Sequence, residues 1–190
     1  GGSRYLPMAF VEHGVAVLSR IKNFISMNNF LESSKKQFSL YRSLGEKTIE
    51  RLNEEELLWQ YNEQSNSIAI IVQHLYGNML SRWTHFLTED GEKEWRDRDA
   101  EFEKMILTKE EVITKWNAGW NCLFAALDSL NNEDLDKIIY IRKEPLSVMD
   151  AINRQLAHYS SHVGQIVYVG KMLLNDRWVS LSIPKKKTRK

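Results

Sequence analysis

Only three prolines and nine glycines interrupt the 190 residues of this chain. Four runs of roughly twenty or more residues keep their apolar side chains near a 3.6-residue period, the mark of amphipathic helices. The first runs from about Asn29 to Leu52, with Phe30, Phe38, Tyr41, Leu44, Thr48 and Leu52 on one side. The short stretch NEEELLWQ follows it as a helical turn capped by Asn53. The second run, SIAIIVQHLYGNMLSRWTHFL, spans about Ser67 to Leu87, with Asn66 or Ser67 as its cap. The third opens on a capping box, Thr108 to Glu111, and continues to Leu130. The fourth follows Pro145, takes Ser147 as its cap and runs to about Leu174. KIIYIRK is the one strand candidate, and a lone strand has nothing to pair with. The expected fold is therefore all-α, a four-helix bundle. TEDGEKEWRDRDAEFEKMIL, between the second and third helices, is long enough to serve as a crossover along the bundle.

Composition narrows the function classes. A hydrophobic fraction of 43% supports one domain with a packed core. The formal charge is +1, yet Lys185, Lys186, Lys187, Arg189 and Lys190 crowd into the last six residues, leaving the rest of the chain slightly acidic. That distribution is not a nucleic-acid footprint, and residues 185–190 read as a solvated basic tail. The single cysteine, Cys122, excludes an internal disulfide and a cysteine zinc cluster, and a reducing cytoplasm fits it. No apolar run approaches transmembrane length, so no membrane partner is expected. Residues 1–27 read as a GGS scar plus a leader, in which Val11, Val15, Leu18, Ile21 and Ile25 allow an extra amphipathic helix. Met8 and Met27 are both possible native starts.

The histidines carry the chemistry. On a helix advancing about 100° per residue, His158 and His162 point within about 40° of each other. Such a pair can bite one metal ion, but taken alone it reads first as two ordinary polar residues on a helix, or as hydrogen-bonding residues between helices. His74 lies among Ile70, Ile71 and Leu75, so it is expected to face inward. A bundle that brings these faces together makes a three-histidine site with an open fourth position, the arrangement of catalytic rather than structural zinc. His85 is about 16 Å further along the axis than His74, too far to join, and reads as surface or helix end. Gln165 shares the ligand face, Asn78 follows His74 by one turn, and Arg154 precedes His158 by one turn, where it could clamp an anionic group. Glu92, Glu94, Asp97, Asp99 and Glu101 in the crossover read as a solvated face, and none is assigned as a general base.

HYSSHVGQ resembles the HxxxHxGQ signature near the end of DinB-like proteins, and IVQHLYGN resembles their earlier single-histidine helix. HLYGNMLSRWTHFLTEDGEKEWRDRDAEF and RWVSLSIP are similar to stretches of one uncharacterised bacterial branch of that superfamily. The likeness covers about Asn28 to Pro184. It implies a four-helix bundle with a long crossover, binding zinc or nickel through His74, His158 and His162, and often a homodimer. Relatives of that type include bacillithiol transferases and mycothiol-dependent maleylpyruvate isomerase, in which the metal activates a low-molecular-weight thiol. The expected activity is thus a metal-dependent thiol transferase or hydrolase acting on a small molecule. The alternative is a non-catalytic helical dimer with a structural or regulatory metal.

Overall fold

The computed structural model describes residues 8–103 and 108–183, with side chains described from residue 30. The scar and the basic tail expected at the two ends lie outside these residues. The helices are α1 (Met8–Arg51), the short α2 (Glu54–Leu58), α3 (Ile68–Trp83), α4 (Lys109–Ser129) and α5 (Val148–Leu174). The strands β1 (Ile138–Ile141) and β2 (Glu144–Ser147) lie between α4 and α5. The protein is mostly helical, with one small two-stranded sheet. The helix expected over residues 29–52 is the C-terminal part of α1, whose backbone continues back through the leader. Among the described residues, no helix is long and apolar enough to cross a membrane.

Side-chain caps set the helix starts where the sequence places them. Asn53 accepts from the backbone N–H of Glu56, Ser67 from Ile70, Thr108 from Glu111 and Ser147 from Asp150. Each cap satisfies an N–H that the first helical turn leaves without a partner. α3 ends at Trp83 rather than Leu87. His85 takes φ 50°, outside the helical region, and the chain turns so that Phe86 packs inward.

The long helices pack α1 on α5, α3 on α4, α3 on α5 and α1 on α4. Each sends one aromatic ring to the centre. Phe38 of α1 lies 6.5 Å from Trp83 of α3, 6.4 Å from Trp120 of α4 and 6.0 Å from Tyr159 of α5. Buried Tyr159 needs partners for its hydroxyl: it accepts from Trp83 Nε1 at 3.0 Å and donates to Asn78 Oδ1 at 3.0 Å, which fixes the α5–α3 register. Glycine permits one close approach: a Cβ at Gly45 in α1 would overlap the ring of Trp116 in α4.

The strand expectation needs correction. KIIYIRK is not alone, because β1 pairs antiparallel with β2, from Ile138 opposite Ser147 to Ile141 opposite Glu144. The turn residues Arg142 and Lys143 take φ 57° and 65°, a two-residue turn that usually asks for Asn-Gly. Here the Asp90 carboxylate, from the crossover, accepts the backbone N–H groups of Arg142 at 2.9 Å and Lys143 at 2.8 Å. Gly91 N donates to Tyr140 O at 2.8 Å, tying the crossover to β1.

Candidate metal centre

The first turns of α3 are buried from Ile68 to Leu75, so His74 has no solvent face to occupy and is itself buried. Its Nδ1 lies 2.9 Å from Glu101 Oε2. An ionised carboxylate only accepts hydrogen bonds, so the ring proton sits on Nδ1 and Nε2 presents a lone pair. Glu101 arrives on a 3₁₀ turn, Ala100–Phe102, within the crossover. Gln73 pins that turn by donating to the carbonyls of Ala100 at 3.2 Å and Glu101 at 3.0 Å. Phe102 covers the imidazole with ring centroids 4.7 Å apart. Gly77 leaves the room, since a Cβ there would overlap Glu101 Oε1.

Arg96 grips the same carboxylate twice, through Nε to Oε1 at 2.7 Å and Nη2 to Oε2 at 2.9 Å. Burial would raise the Glu101 carboxyl, but the hydrogen bonds from His74 and Arg96 and the charge of Arg96 outweigh it and hold the group below its ordinary range. Glu101 is therefore a buried anion with a positioning role, not part of a solvated face. Glu92 departs from that expectation too: it is half-buried and binds Arg82 at 2.9 Å and Arg142 at 3.0 Å. Glu94, Asp97 and Asp99 are exposed, as expected.

α5 buries the stripe Ala151, Ile152, Gln155, Tyr159, Val163 and Ile166. His158 and His162 flank that stripe, half-buried on the edge facing α3. His158 Nε2 lies 3.3 Å from His74 Nε2 and 3.1 Å from His162 Nε2. His162 Nδ1 donates to Gln165 Oε1 at 3.3 Å, so its Nε2 also offers a lone pair. Burial first, then the imidazoles of His162 and His74 and the guanidiniums of Arg82 and Arg96, pushes His158 from 6.5 down to about 3. Burial and His74 lower His162 as well. Both rings are neutral at neutral pH, the state that metal ligation requires.

Hydrogen bonding alone does not satisfy this cluster. The lone pairs of His74 and His162 both face His158 Nε2, whose single proton can serve one of them. A shared cation satisfies all three. Two nitrogens bound to one tetrahedral zinc at about 2.0–2.1 Å sit about 3.3 Å apart, and the two close separations here are 3.3 and 3.1 Å. The ligand atoms of all three residues lie within 4.8 Å of one another, and the group could hold a metal ion.

The cluster opens on a cavity of about 340 Å³ lined also by Asn78, Arg154 and Gln155. Of the other residues singled out from the sequence, Asn78 is buried at this wall with its Oδ1 engaged by Tyr159, and Arg154 is exposed at its edge. Gln165 does not line the cavity but holds His162. His85 is exposed beyond the end of α3. Cys122 is half-buried, and burial pushes its thiol up, away from nucleophilic character. Sequence reasoning missed Glu101, Arg96, Gly77 and Arg82. The crossover has no period to orient its charges, so its pattern held no signal for the first two.

Fold and cluster together define a mostly helical protein with a three-histidine site able to take a metal ion. The chain belongs to the family described as "Protein of unknown function (DUF1572)", which it matches over residues 25–187. No curated protein matches it.

Proposed function

We propose that the protein is a divalent-metal-dependent enzyme of DinB-like type. In this reading the four long helices are that superfamily's bundle and the charged segment between α3 and α4 its long crossover. His74, His158 and His162 hold zinc or nickel, and the enzyme acts on a small molecule as a thiol transferase or hydrolase. The observation that carries the reading is the convergence of three Nε2 atoms, two of them fixed as lone pairs by Glu101 and Gln165, beside an open cavity. When bound, such an ion supplies Lewis acidity, which makes a water or a low-molecular-weight thiol nucleophilic near neutral pH.

The chain's own residues do the rest. Glu101 keeps the His74 proton on Nδ1 and steadies the ring. Arg96 holds Glu101 ionised in its buried place. Gln165 does for His162 what Glu101 does for His74, with a weaker, neutral acceptor. Asn78, whose oxygen is taken by Tyr159, keeps its amide donors for a molecule in the cavity. The open cavity favours catalysis over a sealed structural metal.

A second reading is a helical homodimer with a structural or regulatory metal. It draws on Tyr168 and Met172, four residues apart on α5 and 66% and 47% exposed.

Elemental mass spectrometry of the tag-free protein, with His158→Ala alongside, tests the first reading. Near-stoichiometric zinc or nickel in the parent, lost in the variant, is the expected result. A metal-free parent that cannot be reloaded would overturn it and leave a hydrogen-bonded histidine cluster.

A further inference from the structure

The cavity beside the histidines is lined by five arginines, Arg82, Arg96, Arg98, Arg142 and Arg154, and by no carboxylate among the described residues. They come from α3, the crossover, the hairpin turn and α5, so four separate parts of the fold deliver positive charge to one concave surface. Crowded cations are unfavourable unless countercharge answers them, and the protein's own answer is incomplete. Glu92 Oε2 serves both Arg82 and Arg142, Glu92 Oε1 lies 3.5 Å from Arg96, and Glu101 serves Arg96 at close range, so two carboxylates answer three guanidiniums. Asp99 approaches Arg98 only at 3.7 Å on exposed surface. Arg154 has no hydrogen bond or ion pair among the described residues.

Two buried guanidinium nitrogens of cavity-lining residues, Arg82 Nε and Arg96 Nη1, also lack a hydrogen-bond acceptor, Nη1 having only Glu92 Oε1 at 3.5 Å, while the carbonyl oxygen of Gln155 lacks a donor. The Arg82 and Arg96 side chains are only 6% and 2% exposed. A buried guanidinium N–H without an acceptor is costly, and an anion bound beside these arginines would add the negative charge that they lack. The guanidinium fork matches carboxylate and phosphoryl oxygens in pairs. At about 340 Å³ the space lies at the small end of small-molecule sites, about 300–1,000 Å³.

We infer that this cavity binds a small substrate through an oxyanion, a carboxylate or phosphoryl group. Arg142 and Arg154 hold the oxyanion from the solvent side, and Arg82 and Arg96 face it from the buried side. This deepens the enzymatic reading, on which it rests for the chemistry at the histidine end. The anion subsite itself stands on the arginines.

The test is calorimetric titration of succinate and inorganic phosphate, each compared with neutral succinamide, into zinc-loaded and metal-free protein at low ionic strength. The expected result is millimolar or tighter binding of at least one anion and none of succinamide. Binding falls at least tenfold in Arg154→Gln and in Arg142→Gln. Arg154→Gln does not lower the unfolding temperature, because its side chain holds nothing else in the fold. Stronger binding of succinate assigns a carboxylate, and stronger binding of phosphate assigns a phosphoryl group. The inference is overturned if neither anion outbinds succinamide, or if both arginine variants bind the anions as the parent does. A parent that takes up metal yet ignores both anions refutes this inference alone. Metal-free protein that still binds them supports it, even where the metal reading fails.

Discussion

Glu101→Gln separates the support of the histidine site from the site itself. The substitution keeps the shape and one acceptor oxygen but removes the buried charge that His74 and Arg96 share. Two losses follow. Arg96, 2% exposed, keeps only Glu92 at 3.5 Å as a countercharge. Breaking a buried ion pair costs about 3–5 kcal/mol, and the retained amide oxygen places this case near about 3 kcal/mol. At about 2–4 °C per kcal/mol for a chain of this size, the metal-free protein should melt about 6–12 °C lower by calorimetry. Separately, His74 loses the carboxylate that fixes its tautomer, and such partners are worth about 10–100-fold in metal affinity, or about 1.4–2.7 kcal/mol. A zinc titration against a chromophoric chelator reads that second loss directly. Zinc affinity equal to the parent's, in a variant with the lowered melting temperature, would show that Glu101 only braces Arg96 and would refute the tautomer assignment.

Three further outcomes follow from the same geometry. Because folding lowers His158 from 6.5 to about 3, the unfolded chain binds more protons in that window, so stability of the metal-free protein falls as pH is lowered through it. Urea midpoints at pH 7 and pH 5 should show this, with a smaller difference in His158→Ala; equal differences in parent and variant would contradict it. Gly77→Ala pushes a methyl group into Glu101 Oε1 and should weaken zinc retention while costing about 1–3 kcal/mol of stability, read by chelator competition and urea unfolding. Gly45→Ala meets the Trp116 ring, which belongs neither to the histidine cluster nor to the cavity lining, and should cost a similar amount, about 1–3 kcal/mol, with zinc affinity unchanged.

The sequence by itself determined what depends on neighbours along the chain. Helix starts at Asn53, Ser67, Thr108 and Ser147 are written in cap residues that bond three positions ahead. The spacing of His158 and His162 puts both rings on one helix face whatever the helix packs against, and the apolar stretch around His74 sends it inward. That set was legible because helical periodicity is a local property. The tertiary structure alone decided the features that join distant segments. Glu101 reaches His74 from 27 residues away, out of a charged stretch with no period to say which side chain turns in. The hairpin turn was invisible because Arg-Lys is a poor turn pair. Asp90, 52 and 53 residues earlier, supplies the acceptors for its two N–H groups. The arginine-lined cavity likewise exists only because α3, the crossover, the hairpin and α5 meet there, and the charge of a side chain does not reveal which surface packing will give it.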